Sequence, residues 1–298
     1  SAIFGFMNML IKLLKDKKPA KIAIILDTKK PTFRHELFND YKATREKMPD
    51  DLSVQLSPLF KIIEATRIPM IKKAGYEADD IIGTLAKQAD EMGVVTKIVS
   101  GDKDLMQLIT DNVFMLTPGN SKKPDILYDK NAVIEKWGVP PDKIIDLMAL
   151  IGDSSDNIPG IKGVGPKTGK KLLDEFGTFD NLINKIDEIK NPRIKEKVRN
   201  DKDLAILSKK LVTIDLEVPI DLNIDDLDLK MFDMDALSER LKEFDLNSIL
   251  EKIYKLDNID LSIEEAKVEK HYKTILNEKQ LENIIEQMSN SSLISFDT

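Results

Sequence analysis

The amino-acid sequence predicts an α/β fold in which helices cover a mostly parallel sheet. Three short apolar runs have the pattern of buried strands, and a helical pattern follows the second and the third of them. Strands that alternate with helices are typical of parallel sheets, because the chain must cross back to the same end of the sheet between strands. From residue 141 to residue 210 the pattern is almost entirely helical, which predicts a second, helical subdomain.

The elements follow in order along the chain. The opening segment, SAIFGFMNMLIKLL, reads as an amphipathic helix, since no basic stretch precedes it and no small-residue cleavage site follows it. The strand candidates are KIAIIL, IPMI and VVTKIVS, at residues 21–26, 68–71 and 94–100. A helix is predicted at residues 78–92, where the apolar residues share one face, and another begins near Lys103.

Composition excludes several classes of protein. The chain has 298 residues, of which 42% are hydrophobic and 33% charged, and this is enough apolar material for a packed core. No apolar run approaches the ~18 residues of a membrane-spanning helix. There is no cysteine, which excludes disulfides and thiolate metal sites and fits a reducing compartment. We therefore expect a cytoplasmic protein with no membrane partner.

The charge is unevenly distributed. The formal net charge is −7, but residues 215–298 carry −12 and residues 1–214 carry +5. Without the eight carboxylates considered next, the first part would carry +13. A basic surface around an acidic pocket suits an enzyme that holds phosphates and cleaves them with metal ions.

Four acidic groups stand out, three of them at the carboxyl ends of predicted strands, where open α/β sheets bind ligands. They are Asp27, then Glu77, Asp79 and Asp80, then Asp102 and Asp104, and finally Asp153 and Asp156. Eight crowded carboxylates repel one another unless cations neutralise them, and oxygen ligands without His or Cys select Mg²⁺ or Mn²⁺. The alternative for any single residue is a helix N-cap, which is how we interpret Asp129.

A glycine-rich segment, IPGIKGVGPKTGKKLL, precedes a lysine-rich helix. Glycines allow close backbone approach, and a helix N-terminus offers free N–H groups to a phosphate. The pattern predicts a helix-hairpin-helix clamp on a DNA backbone. Its candidate contacts are Lys162, Gly163, Gly165, Lys167, Thr168, Lys170 and Lys171. A P-loop is excluded because Pro166 replaces the required lysine. A plain turn between helices, with no ligand, stays open.

Basic and aromatic residues alternate after the first strand, in TKKPTFRHELFNDYKATREKMP. Such a mixture can follow a single nucleic-acid strand, and the alternative is an ordinary solvated helix. We interpret His35 as a surface or phosphate-contacting residue.

The ordered motifs LDTKKPTFRHE, YKATR, GYEADD, VSGDKDLMQL and GDSSDNIPGIKGVGPKT resemble the N-terminal 5′-nuclease domains of bacterial DNA polymerases I, in the wider flap endonuclease family. The resemblance covers about residues 1–255. It implies a PIN-like 5′-nuclease fold with a helical arch and a helix-hairpin-helix C-terminal subdomain.

The same resemblance implies a function and residue roles. The eight carboxylates would hold two or more Mg²⁺ ions. Lys42 and Arg45, with Arg34, would clamp the scissile phosphate, and Tyr41 could stack on a base. The hairpin would hold duplex DNA, in this family often with a K⁺ ion. The implied activity is hydrolysis at 5′ flaps and RNA primers in replication and repair, by a monomer.

The resemblance also sets expected boundaries. Residues 1–140 would form the α/β nuclease core without the family's first strand and its Asp, residues 141–255 the helix-hairpin-helix subdomain, residues 256–270 a linker, and residues 271–298 the beginning of a 3′→5′ exonuclease-type domain. Activity would be impaired without that first Asp. Gly169 stands where the family usually has Ala. Two alternatives stay open: a DNA-binding module that cuts poorly, and a stand-alone 5′ nuclease.

Overall fold

The computed structural model describes residues 2–119 and 123–257. Contacts group Ser1–Leu256 into one compact unit and Asp257–Thr298 into another. The unit predicted at residues 271–298, and the predicted linker from residue 258 onward, lie outside the described residues. No helix of the described part is long and apolar enough to cross a membrane.

Helices dominate the described part of the chain. The α-helices are α1 (Ala2–Lys17), α2 (Phe33–Leu37), α3 (Asp50–Ala65), α4 (Ala78–Glu91), α5 (Lys130–Trp137), α6 (Ile144–Ile151), α7 (Pro166–Phe176), α8 (Phe179–Asn184), α9 (Pro192–Asn200), α10 (Lys202–Val212), α11 (Met234–Glu243) and α12 (Asn247–Asp257). The strands are β1 (Ile24–Ile25), β2 (Met70–Ile71), β3 (Thr96–Val99), β4 (Val113–Thr117) and β5 (Ile126–Tyr128). The opening segment forms the expected amphipathic helix.

The strands form two short sheets. β1 pairs in parallel with β2, β3 pairs in parallel with β4, and β5 is antiparallel to β4. No backbone ladder joins the two sheets within the described residues. Each predicted strand run contains an observed strand that is shorter than predicted. The helix expected near Lys103 is a single 3₁₀ segment, Lys103–Leu108, and β4 and β5 were not predicted.

Three apolar clusters hold these elements together. One joins α1, α3, α11 and α12, and a second lies between α4 and residues 218–227. The third runs from β3 and β4 into α6, α7, α8 and α10. The helical part therefore shares its core with the sheet that ends at the acidic residues, which fixes the position of one relative to the other.

Gly169 in α7 is explained by this packing. It is buried against α6, and a Cβ built on it would lie 2.9 Å from Leu147 Cδ1 and 3.1 Å from Ile151 Cγ2. Close packing of α7 on α6 thus favours Gly here despite its helix cost of about 1 kcal/mol.

Candidate active site

The first acidic groups surround the N-terminus of α4. Asp27 follows β1, and its Oδ1 accepts a hydrogen bond of 2.8 Å from the backbone N–H of Ala78. Glu77 directly precedes the helix, and Asp79 lies in its first turn. The helix dipole favours negative charge at this end. The structure therefore brings three carboxylates to a single helix start.

Asp102 and Asp104 bring further carboxylates from the end of β3. Asp102 caps the 3₁₀ segment by accepting a hydrogen bond of 3.0 Å from the backbone N–H of Asp104. Asp104 Oδ1 is buried and has no hydrogen-bond partner. Buried polar oxygens nearly always have a partner, so this atom calls for one, and a cation is suitable.

Asp153 and Asp156 come from the loop that follows α6. The backbones of Asp153 and Ile158 exchange hydrogen bonds of 2.9 and 2.7 Å, which closes the loop. Lys103 Nζ donates to Asp153 Oδ1 at 2.7 Å, as do the backbone and the hydroxyl of Ser155, at 3.0 and 2.7 Å. The loop is therefore joined to the residues after β3.

The charges of these groups act on one another, so together they form an acidic pocket made by Asp27, Glu77, Asp79, Asp102, Asp104, Asp153 and Asp156. Two of its carboxyl groups resist ionisation. Burial, with the charge of Asp102, raises the pKa of Asp79 to about 7. Burial and the charges of Asp102 and Asp153 raise the pKa of Asp104 to about 7. Burial alone would raise the pKa of Asp153, but the hydrogen bond from Lys103 lowers it below its ordinary value. Carboxyl groups whose pKa values are raised by the charges of neighbouring carboxylates are typical of cation-binding sites.

Lys42 and Arg45 reach into the same pocket. Lys42 Nζ lies 2.8 Å from Glu77 Oε1, and Arg45 Nη2 lies 2.5 Å from Asp156 Oδ1. The backbone N–H of Lys42 donates to the carbonyl of Asp156 at 2.9 Å, with Lys42 at a φ of 58°. Both cations therefore lie beside the acidic residues.

Tyr41 lies inside the pocket, in contrast to the base-stacking role implied by the resemblance. It is 4% exposed, and its hydroxyl is 3.1 Å from Glu77 Oε2 and 3.4 Å from Asp156 Oδ2. Burial and these two carboxylates raise the pKa of Tyr41. His35 packs edge-on against the Tyr41 ring, with a centroid separation of 5.3 Å.

The acidic side chains have the oxygen atoms that a divalent metal ion needs as ligands. In this structure they form ion pairs with lysine and arginine side chains. Within the described residues, no three Asp, Glu or His side chains lie close enough together to bind a metal ion without rearrangement. Instead, Lys42 contacts Glu77 and, at 3.7 Å, Asp156, while Arg45 contacts Asp156 and Lys103 contacts Asp153. Mg²⁺ and Mn²⁺ fit an all-oxygen set that contains an unpartnered buried oxygen and two carboxyl groups with raised pKa values.

Arg34 and Asp80 are placed differently from the other predicted residues. Arg34 Nη1 and Nη2 lie 2.8 and 2.7 Å from the two carboxylate oxygens of Asp80, and both side chains are buried. Burial alone would raise the pKa of Asp80, but Arg34 lowers it. The predicted phosphate clamp and the predicted metal ligand thus bind each other.

The glycine-rich segment forms a tight hairpin between α6 and α7. Gly160 has a φ of 58°, and its N–H donates to Ser208 Oγ at 2.9 Å. Gly163 has a φ of 73°, and Gly165 precedes Pro166 at the first position of α7. Among the predicted contacts, the exposed residues are Lys162, Gly163, Gly165, Lys167 and Lys171, whereas Thr168 and Lys170 are half-buried.

Several residues around the site were missed from the sequence. Lys197 in α9 donates to the carbonyl of Gly163 at 3.1 Å, and Asp201 accepts from the N–H of Lys162 at 2.8 Å. The basic run PRIKEKVR could have indicated Lys197. Lys103 stands inside the GDKD motif, where its charge was the available signal. Nothing local marks Asp201 or Ser208, since their partners are distant in sequence.

Two family models match this chain. The 5′-3′ exonuclease N-terminal resolvase-like domain matches residues 1–138, and the 5′-3′ exonuclease C-terminal SAM fold matches residues 139–235. The chain is 43% identical over 256 residues to DNA polymerase I of Bacillus caldotenax, covering 85% of this chain and 29% of that protein. It therefore spans less than a third of that relative's length.

A relative of similar length and a solved structure agree with these matches. A 5′-3′ exonuclease of Aquifex aeolicus is 38% identical over 256 residues, covering 86% of each chain. The fold is similar to that of a bacteriophage T5 flap endonuclease, whose structure is described as a complex with DNA and metal ions. The TM-score is 0.62 at 21% sequence identity, and the match covers 86% of this chain and 91% of that one. The α/β fold and helical C-terminal part predicted from the sequence are confirmed, and the chain belongs to the 5′-3′ exonuclease family.

Proposed function

We propose that this chain is a metal-dependent 5′ nuclease that hydrolyses phosphodiester bonds in DNA, at 5′ flaps and at RNA-primed 5′ ends. The observation that carries the proposal is the acidic pocket, where Asp104 has an unpartnered buried oxygen and Asp79 and Asp104 share raised pKa values. The T5 flap endonuclease, whose structure is described with DNA and metal ions, supports this assignment.

Seven of the predicted carboxylates would hold Mg²⁺ or Mn²⁺. They are Asp27, Glu77, Asp79, Asp102, Asp104, Asp153 and Asp156. A pair of such ions, when bound, supplies an activated water and stabilises charge on the attacking and leaving oxygens. Lys42 and Arg45 would leave their carboxylate partners and bind the scissile phosphate, because both lie at the pocket and Arg45 is about half exposed.

The hairpin would hold the duplex next to the scissile bond. Its exposed lysines and the N-terminus of α7 favour phosphates without reading bases. The K⁺ ion implied by the resemblance is part of this proposal. It would bind the carbonyl oxygen of Gly163 in the exposed turn, in place of the Lys197 ammonium group that now donates to that oxygen. Duplex affinity measured in KCl and in NaCl at equal ionic strength tests it, and equal affinities would exclude it.

The wider role belongs to the same proposal. The curated relatives include DNA polymerases I, and we infer that the chain acts in replication and repair, as a monomer in the cytoplasm. Mass measurement by light scattering tests the monomer directly.

A Mg²⁺-dependent cleavage assay on a 5′-flap substrate tests the proposed reaction. The unmodified chain should cut near the flap junction, and Asp104→Asn should lower the rate by about 10²-fold or more. Asp111→Asn is the matched control, since Asp111 is 87% exposed. It lies just before β4, at the end of the sheet away from Asp102 and Asp104. Binding without cleavage by the unmodified chain would favour the rival function, a DNA-binding module.

A further inference from the structure

The Arg34–Asp80 pair is the most completely bonded charged contact around the site. Besides its two bonds to Asp80, Arg34 donates from Nε to the carbonyl of Leu211 at 2.9 Å and from Nη2 to the carbonyl of Thr213 at 2.8 Å. Arg34 is 2% exposed and Asp80 0%. A guanidinium bound in this way cannot also reach a phosphate at the surface.

Asp80 is equally saturated. Its Oδ2 accepts from the backbone N–H of Glu77 at 3.0 Å and its Oδ1 from that of Asp215 at 2.9 Å, in addition to the Arg34 bonds. A carboxylate has about four lone-pair positions, so four donors occupy them all. A metal ion would have to displace a buried, charge-assisted bond, whereas Asp104 offers an oxygen with no partner.

The pair joins three segments that carry the machinery. Arg34 lies in α2, shortly before Lys42, and Asp80 lies in the first turn of α4, beside Glu77 and Asp79. The carbonyls bound by Arg34 end helix α10. One turn earlier in α10, Ser208 binds the hairpin backbone at Gly160. The pair therefore links the end of the helix that supports the hairpin to the start of α4, beside a second link in which Gln107, from the segment that holds Asp104, bonds Val212 and Ile214.

We propose that Arg34 and Asp80 are a pair of positioning residues that set the distance between the hairpin and the metal-binding carboxylates. This inference rests on the proposed function. A duplex held at the hairpin is then aligned so that one phosphodiester lies at the pocket. Without the pair, α10 keeps its packing on α6 but its end loses the charged link to α4, and the phosphate presented for cleavage is held less precisely.

Metal binding separates a positioning role from a ligand role for Asp80. Mn²⁺ titration of the full chain, followed by calorimetry, should give the same number of ions for Asp80→Asn, Arg34→Gln and the unmodified protein. Asp104→Asn should lose an ion or bind it at least about tenfold more weakly. If Asp80→Asn lost an ion while Arg34→Gln kept it, Asp80 would be a ligand and the proposal would be overturned.

Cleavage separates positioning from general stability. In single turnovers on a flap substrate with one labelled strand, Arg34→Gln and Asp80→Asn should each cut over several neighbouring positions, with a single-turnover rate constant lower by about 10²-fold. Their double variant should be no worse than the poorer single one, because the charge left unpaired by one change is removed by the other. Additive losses, or a single unchanged cleavage position in both variants, would contradict the proposal.

A matched pair of variants controls for loss of stability. Lys87 and Glu217 also link α4 to the segment after α10, at 3.2 Å, but they are exposed. Lys87→Gln with Glu217→Gln should leave the cleavage position unchanged. All assays are run at a temperature where circular dichroism shows each variant folded. Arg34→Lys keeps the positive charge but cannot make the two parallel bonds of a guanidinium group. It should therefore cut over fewer neighbouring positions than Arg34→Gln.

The outcomes also distinguish this inference from the proposed function. If the unmodified chain did not cut a flap, the proposed function would fail. The Mn²⁺ titration and the unfolding free energies of the two single variants and the double variant would still decide whether the pair acts as a unit.

Discussion

Lys103 Nζ lies 2.7 Å from Asp153 Oδ1 and so joins the residues after β3 to the loop after α6. Asp153 is buried, and Lys103 is about one third exposed. Besides burial, the charge of Asp153 raises the pKa of Asp104, and the charge of Lys103 partly offsets that effect. The Lys103 ammonium group and a bound metal ion would therefore compete for Asp153 Oδ1.

We predict that Lys103→Met binds Mn²⁺ about two- to tenfold more tightly than the unmodified chain, since a positive charge that competes for Asp153 is removed. In chelator, the same change should lower the free energy of unfolding by about 1 kcal/mol. Calorimetric titration and urea unfolding measure the two effects. Lys130→Met, which breaks an exposed pair with Asp111, is the control. Weaker Mn²⁺ binding by Lys103→Met would contradict the competition.

Asp104 predicts a pH dependence of stability. Its pKa is raised from 3.8 to about 7 in the folded protein, mainly by burial, so the folded state keeps a proton that the unfolded chain releases. The resulting stabilisation is complete below about pH 4 and is lost as the pH rises through 7. In chelator, the unfolding free energy should therefore fall between pH 4 and 8 by on the order of 4 kcal/mol more than in Asp104→Asn. Parallel pH profiles for the two proteins would refute this assignment.

Gly160 predicts a large effect in the hairpin. Its φ is 58°, and a Cβ on it would lie 2.3 Å from the backbone N of Gly152. Gly160→Ala should lower the unfolding free energy by about 3 kcal/mol, from backbone strain and overlap together. Gly5→Ala is the matched control, because no atom lies within 4 Å of a Cβ there, and it should gain about 1 kcal/mol in helix α1. Urea unfolding of both variants measures the difference, and equal effects would contradict the hairpin geometry.

The hairpin lysines predict a salt effect on DNA binding. Lys167 is exposed at the start of α7, whereas Lys170 pairs with Asp174 at 2.5 Å. The double variant Lys167→Ala with Lys170→Ala should weaken duplex binding for all sequences alike and reduce the slope of log K against log salt by about 1 to 2. Fluorescence anisotropy across salt concentrations measures this. Lys255→Ala in α12 serves as the control, and a sequence-selective loss would exclude a backbone clamp.

Local patterns in the sequence predicted much of the fold. The apolar face of α4 predicted residues 78–92, and the helix spans Ala78–Glu91. Asp129 was interpreted as a cap, and its Oδ1 accepts from the N–H of Ala132 at 2.8 Å, which confirms it. The strands were harder to delimit, because two of them form ladders of only two residues, and such short pairings depend on tertiary contacts.

The site shows where local reasoning ends. Strand ends and helix starts indicated the acidic residues, and the structure joins them through contacts with Lys42 and Lys103. The role of Arg34 had no local signal. It stands in a basic run, yet it is buried, and two of its partners lie 177 and 179 residues away. A charge run does not show which of its members points into the core.

Anomalous scattering from a Mn²⁺-soaked crystal of the full chain tests the central claim most directly, namely that the acidic pocket is a divalent-metal site. We predict at least two Mn²⁺ peaks about 3.5–4 Å apart, bound by oxygens of Asp79, Asp102, Asp104 or Asp153, with none within bonding distance of Asp80. Peaks confined to other acidic positions, such as Asp225 and Asp228, or a pocket in which Lys103 and Lys42 keep their carboxylates at saturating Mn²⁺, would contradict the account.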